Sequence, residues 1–301
     1  MVLHYGRFGN SIIVSRLNSL ADQKEVLMNS FNFNIGSFKC SVISDGIITV
    51  PGKAKQSSSQ DFMAPGSIME LMCLLLKTDK HMILIDTGLG VGGKPDAGKL
   101  VQNLQAEGIS CKDIDMVIIS HGHGDHISGI TDNTGRIAFP NARFIMCKQE
   151  WEFWTSDPEL KQFKVEEEIR QMFCRTVQEH LVPIKNQLDL IDNDTRILPG
   201  IECIKAQGHT PGNIIVAISS SSEELLYTGD LFHHPIQLGE PDLQDVFDFE
   251  PEQASRMRIQ MLSQMIRPNV LISASHFPFP GLGHIVKKDD AWLWQPIEIK
   301  K

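Results

Sequence analysis

The segment that most restricts the fold of this chain is Met116–Ile119, four apolar residues in a row followed at once by Ser120-His121-Gly122-His123-Gly124-Asp125-His126. A short run without polar alternation suits a strand buried on both faces, the situation of parallel sheets covered by crossover helices. Residues 99–106 carry apolar side chains at helical spacing ahead of the run, and Arg143–Cys147 is a second apolar run behind it. The middle of the chain therefore reads as α/β. Its polar cluster stands just beyond the carboxyl end of a buried strand, where open α/β sheets place their sites.

The pattern extends in both directions. Residues 40–44 and 46–50 read as strands, and residues 71–78 and Met82–Ile85 as two more joined by an Asp79-Lys80 turn. Residues 150–180 read as mostly helical, with a break at Ser156-Asp157-Pro158. The second half repeats the plan, with β-type runs at Leu188–Ile191, 201–206, 214–219 and 225–228, a helix over 252–266 and a closing strand at Val270–Ser273. Two such halves predict a four-layer αββα sandwich spanning residues 35–301. Residues 1–34, weakly patterned apart from a helix-compatible stretch at 12–20, read as an amino-terminal arm or extension that could serve a homodimer.

Composition excludes some functions. With 37 acidic against 28 basic side chains and a formal charge of −9, the chain is poorly suited to track a phosphate backbone, so no nucleic-acid partner is expected. The six cysteines, at 40, 73, 111, 147, 174 and 203, include no C-x-x-C pair and read as free thiols of a reducing compartment. No apolar run reaches membrane-spanning length, and residues 1–16 lack the features of a signal peptide. A cytoplasmic protein without a membrane partner is the expectation.

Imidazoles and carboxylates suit zinc and neighbouring divalent metals, and the absence of nearby cysteines favours a catalytic over a sealed structural site. Along an extended segment His121 and His123 point one way, while a turn through Gly124 sends Asp125 and His126 toward a second position. Three further candidates follow predicted strands: His209 in Gly208-His209-Thr210-Pro211-Gly212, Asp230 in Tyr227-Thr228-Gly229-Asp230, and His276 after Val270–Ser273. Each alone would read as a turn or core residue. Their joint placement points to a metal centre, and the two oxygens of Asp230 could bridge two ions.

The segment His121-Gly122-His123-Gly124-Asp125-His126 resembles the H-x-H-x-D-H signature of the metallo-β-lactamase superfamily, and His209, Asp230 and His276 are similar to its later ligand motifs in order. The resemblance covers residues 38–284 and implies the αββα fold. It implies that His121, His123 and His209 hold one metal, that Asp125, His126 and His276 hold a second, and that Asp230 bridges them. Ile85-Asp86-Thr87-Gly88 is similar to an early motif whose aspartate supports the ligand loop rather than binding metal. Ser44-Asp45-Gly46 and residues 275–284 resemble the subgroup of methyl parathion hydrolase and N-acyl-homoserine lactone lactonases.

The expected activity is hydrolysis of a small-molecule ester or lactone by hydroxide shared between two divalent metals, most simply zinc, with phosphotriester hydrolysis as the alternative. A metal-bound sensor or scaffold is the reading of another class. Asp125 and His233 are the expected catalytic groups. Many lactonases of this resemblance carry a tyrosine three residues after the bridging aspartate, where this chain has His233. Trp151, Phe153, Trp154, Phe232, Phe277 and Phe279 are candidate pocket walls, each equally suited to core packing.

Overall fold

The computed structural model describes residues 29–50 and 66–299, apart from Gly93, residues 157–159, Lys164, Asn193 and Asp290. Strands β1 (Ser30–Ile35), β2 (Phe38–Thr49), β3 (Ile68–Lys77), β4 (Met82–Ile85), β5 (Met116–Ile119), β6 (Arg143–Cys147) and β7 (Leu188–Ile191) form one sheet in sequential order. Strands β8 (Thr195–Leu198), β9 (Ile201–Lys205), β10 (Ile214–Ser220), β11 (Glu223–Tyr227), β12 (Val270–Ser273), β13 (Leu282–Lys288) and β14 (Ala291–Pro296) form the other. Pairings β4–β5, β5–β6, β6–β7 and β11–β12 are parallel, and the remaining ones are antiparallel.

The unbroken apolar runs follow from burial of both faces. In β3, Cys73 and Leu75 join a core on the outer side of the first sheet, while Met72, Leu74 and Leu76 face the second sheet. In β10, Ile214, Val216 and Ile218 meet the first sheet, while Ile215 and Ala217 join an outer core on the other side. The first outer core takes in α1 (Leu100–Ala106) through Leu100 and Leu104, α3 (Lys148–Thr155) through Trp154 and α4 (Glu167–Thr176) through Phe173. Short helix α2 (Gly124–Ile127) lies between α1 and α3 in the chain; α5 (Ile236–Gly239) and α6 (Pro251–Met265) cover the second sheet through Leu238, Met261, Leu262 and Met265. Three cores between four layers make the αββα sandwich.

Several elements differ from the sequence reading. Residues 40–50 are not two strands: β2 runs through with a bulge between Ser44 and Gly46, which turns Asp45 into the interior. Gly46 has φ of 107°, and a Cβ there would lie 2.0 Å from the Asp96 carbonyl oxygen, so close approach of the chain demands glycine. Leu188–Ile191 belongs to the first sheet, parallel to β6, rather than to the second; a four-residue run carries no information about which sheet it joins. Ser30–Ile35, all but its last residue assigned to the amino-terminal extension, is the edge strand of the first sheet, whereas the helix-compatible stretch at 12–20 and the break at 157–158 lie outside the described residues. Strands β8, β13 and β14 were not anticipated. Among the described residues no helix is long and apolar enough to cross a membrane, and all six cysteines are free thiols.

Candidate metal centre

The seven candidate donors converge at one end of the sandwich. Each follows the carboxyl end of a strand: residues 121–126 follow β5, His209 follows β9, Asp230 follows β11 and His276 follows β12. His123 is still extended, with φ −74° and ψ 156°, and α2 then reverses the chain so that Asp125 and His126 are carried away from the first two histidines. The five imidazoles and Asp230 are buried, and only Asp125 is partly open.

The donor atoms fall into two groups. His121, His123, His209 and Asp230 form one, and Asp125, His126 and His276 form another, with donor atoms in each group within 4.8 Å of one another. Asp230 divides its oxygens between them. Oδ2 lies 3.5 Å from His121 Nε2 and 3.4 Å from His209 Nε2, while Oδ1 lies 3.1 Å from both His126 Nε2 and His276 Nε2. Asp125 Oδ2 is 3.8 Å from His126 Nε2 and 3.5 Å from His276 Nε2. His209 Nε2 also stands 2.8 Å from His123 Nδ1.

These residues fit divalent cations. His121 Nε2, His126 Nε2, His276 Nε2 and Asp230 Oδ1 are buried without hydrogen-bond partners among the described residues, although buried polar atoms are normally satisfied. The outer ring nitrogens of His121, His126, His209 and His276, by contrast, are engaged, whereas His123 turns Nδ1 inward and its buried Nε2 has no hydrogen-bond partner among the described residues. His276 Nδ1 donates to the Glu70 carbonyl at 2.8 Å, His126 Nδ1 meets Asp86 Oδ2 at 2.7 Å and His209 Nδ1 meets Asp248 Oδ1 at 3.0 Å. Ser120 Oγ donates to Asp86 and so can accept from His121 Nδ1 at 3.1 Å. With Nδ1 as the donor, Nε2 of each of these four rings carries a lone pair directed inward, the tautomer that metal binding requires.

Asp86 does more than cap a turn. Besides His126 it accepts from Ser120 N at 2.8 Å, Ser120 Oγ at 2.7 Å and Tyr227 Oη at 2.8 Å, and it adopts φ of 61° to do so. A non-glycine residue in that region is strained, and the four contacts hold it there. Behind His209, Asp248 Oδ2 accepts from Arg258 Nη1 at 3.2 Å, an ion pair with both partners fully buried. Burial drives the pKa of His121 and His123 well below the usual histidine value, keeping them neutral. Asp230 is held well below the usual carboxylate range: burial would raise it, but His126, His276 and His121 outweigh that effect.

Residues 72–268 match the Metallo-beta-lactamase superfamily. The chain belongs to that superfamily. An N-acyl homoserine lactonase from a Bacillus species is 24% identical over 208 residues, which cover 60% of this chain and 74% of the relative. A probable metallo-hydrolase of Mycobacterium tuberculosis is 26% identical over 195 residues, covering 54% of this chain and 58% of the relative. Among solved structures, AidC, described as a dizinc quorum-quenching lactonase, superposes with a TM-score of 0.79 at 27% identity, covering 91% of this chain and 99% of AidC. The hydrolase AbOPH superposes with a TM-score of 0.79 at 24% identity over 91% of this chain and 99% of its own, a likeness of fold. The protein is thus a metallo-hydrolase of the metallo-β-lactamase superfamily with lactonase relatives.

His233 lies beside the candidate centre, but its ring nitrogens face two carboxylates. Nε2 is 3.1 Å from Asp230 Oδ2 and Nδ1 is 3.2 Å from Asp245 Oδ2. Burial would lower its pKa, yet Asp245 and then Asp230 push it up to about 9. The expected aromatic walls separate. Trp154 stands edge-on to His123 with centroids 5.7 Å apart, whereas Phe232 and Phe277 are buried in the outer core of the second sheet, and Phe153 packs on Phe249. Sequence reasoning missed Phe173, stacked on His123 at 4.9 Å, as well as Glu150, Asp245, Asp248 and Arg258. For Arg258 a signal existed, because it lies on the buried stripe of α6 with Ala254, Ser255, Met261, Leu262 and Met265.

Proposed function

We propose that this metallo-hydrolase opens lactone rings, N-acyl-homoserine lactones or similar cyclic esters, with two divalent ions, zinc for preference, held by the seven donors. The observation that carries the reading is the division of Asp230 between two groups of nitrogen donors, which matches a carboxylate shared by two ions rather than a single tetrahedral site. His121, His123 and His209 are assigned to one ion, Asp125, His126 and His276 to the other. When bound, such a pair of ions acidifies water toward neutral pH and polarises the carbonyl under attack.

The side chains supply orientation and proton handling. Asp86, Asp248, Ser120 and the Glu70 carbonyl fix four rings by their outer nitrogens, so little reorganisation accompanies reaction. Asp125, the most open donor at 17% side-chain exposure, is placed to exchange a proton with entering water. His233 is assigned as proton donor to the leaving oxygen. In the metal-free chain Asp245 and Asp230 favour the charged ring, and a substrate must share the contact that Nε2 makes with Asp230 Oδ2. The lactonase names and likeness of the relatives support the substrate class.

The test is a hydrolysis screen of metal-reconstituted protein against N-acyl-homoserine lactones, aryl esters and phosphotriesters, compared by kcat/KM. Lactone turnover should exceed the others. Robust phosphotriester hydrolysis with no lactone turnover overturns the assignment. Elemental analysis of the same preparation should give two metals per chain, and a reproducible single metal after saturating reconstitution removes the two-ion centre.

A further inference from the structure

Glu150 is fully buried in α3, on an element that contributes none of the seven donors. Isolated burial of a carboxylate is costly, and burial raises the pKa of this one. Its contacts account for its presence. Oε1 accepts from the Gly122 amide at 2.8 Å and from Trp154 Nε1 at 2.7 Å, and Oε2 accepts from the Gly212 amide at 2.7 Å. Gly122 stands between His121 and His123; Gly212 lies three residues after His209. One carboxylate therefore joins a loop of the first sheet to a loop of the second.

The glycines give an independent observation of the same design. A Cβ on Gly122 would lie 2.4 Å from Trp154 Nε1, and one on Gly212 would lie 2.3 Å from the Glu150 amide nitrogen and 2.6 Å from its Cβ. Both loops approach α3 so closely that any side chain at either position would push them off the carboxylate. Trp154, held by the same oxygen, in turn stands edge-on to the His123 ring.

We infer that Glu150 is a positioning residue: it clamps the loops carrying His121, His123 and His209 into one register and thereby sets the affinity of the first metal position. The inference rests on the metal reading of the centre. A glutamine cannot replace it. The amide has one acceptor oxygen, so one of the two loop amides would face an NH2 group and lose its partner.

The experiment is metal binding by Glu150→Gln, with the exposed neighbour Glu152→Gln as control, measured by competition with a chromophoric chelator for zinc. Chemical denaturation of the metal-free proteins is measured in parallel. Glu150→Gln should hold one of its two zinc ions about 10- to 100-fold more weakly, the usual range for outer partners of metal ligands, while Glu152→Gln matches wild type. Should Glu150→Gln fail to fold, Trp154→Phe removes a single donor to Oε1 and should weaken the same ion by a smaller factor. Zinc affinity within twofold of wild type in the folded Glu150→Gln, or in Trp154→Phe when only that variant folds, overturns the clamp. A wild-type protein that binds no zinc overturns the metal reading itself, so the two failures are distinguishable.

Discussion

The two halves of the sandwich furnish donors in opposite ways. The first sheet delivers four from one loop, residues 121–126 beyond β5, and supports that loop mainly through Asp86 at the end of the neighbouring β4. The second sheet delivers three from three separate loops beyond β9, β11 and β12, and His209 depends on an aspartate and an arginine from more than 30 residues away in the chain. The contiguous loop carries its four donors within six positions, and Asp86 and Glu150, 34 and 28 residues away in the chain, then fix it. The dispersed set is assembled only when the second sheet has packed, so its donors depend on long-range burial.

The comparison breaks most visibly at Asp230, the single residue of the dispersed set that touches both groups. On the two-ion proposal, Asp230→Ala should weaken retention of both metals and lower turnover by at least about 100-fold. His276→Ala, which removes a donor from one group only, should leave one metal bound. Equal losses in the two variants by elemental analysis would show that the centre does not divide as its distances suggest. His233→Ala should keep both metals and lower kcat by about 10²-fold, the low end for a positioned acid–base group. His234→Ala should have little effect on kcat, and an equal loss there would remove the assignment to His233.

How much was legible in the sequence follows the same division. Asp125 and the histidines at 121, 123 and 126 could be read because four donor-type residues within six positions after a buried strand rarely gather except around a cation. His209, Asp230 and His276 became readable only jointly and by resemblance. Glu150 and Asp248 were not readable. A lone acidic residue in a helix or loop looks solvated until the partner that buries it is known, and the partners here are backbone amides of distant glycines and an arginine of α6. Leu188–Ile191 was read into the wrong sheet for a similar reason, since strand pairing is decided by what lies alongside.

The supports of the two halves should therefore differ in stability more than in metal binding. Asp86→Asn and Asp248→Asn should each lower metal affinity about 10- to 100-fold by releasing a histidine tautomer. Asp248→Asn also leaves the fully buried Arg258 without its anion, which should cost about 3–5 kcal/mol of unfolding free energy. Asp86 neighbours Ser120, Tyr227 and His126 and orphans no buried arginine. Denaturation of the metal-free variants should show the larger loss for Asp248→Asn. The reverse order would mean that the loop of the first half is the more dependent on long-range packing.

A pH-dependent effect is expected at Asp45, like Asp86 and Glu150 a buried carboxylate of the first half. The bulge in β2 turns Asp45 inward, and its oxygens accept from Leu89 N at 2.8 Å, Leu100 N at 2.8 Å and Gly98 N at 3.3 Å, bracing the segment that follows Asp86. Burial nevertheless pushes its carboxyl from 3.8 up to about 6, outweighing the three amide donors. A raised acid pKa means that the folded chain holds a proton the unfolded chain has released between pH 4 and 6, as a rough window. The contribution of Asp45 to stability should then fall as pH rises through that window and stay level above it, the reverse of an ordinary ion-paired carboxylate. The full swing is on the order of 3 kcal/mol. Urea unfolding of metal-free wild type and Asp45→Asn at several pH values isolates the group, because the other carboxylates cancel in the difference. Relative to the variant, wild type should lose stability from pH 4 to 6. A difference that is flat, or that grows with pH, would show that the three amides keep Asp45 ionised and that hydrogen bonding outweighs burial in the bulge.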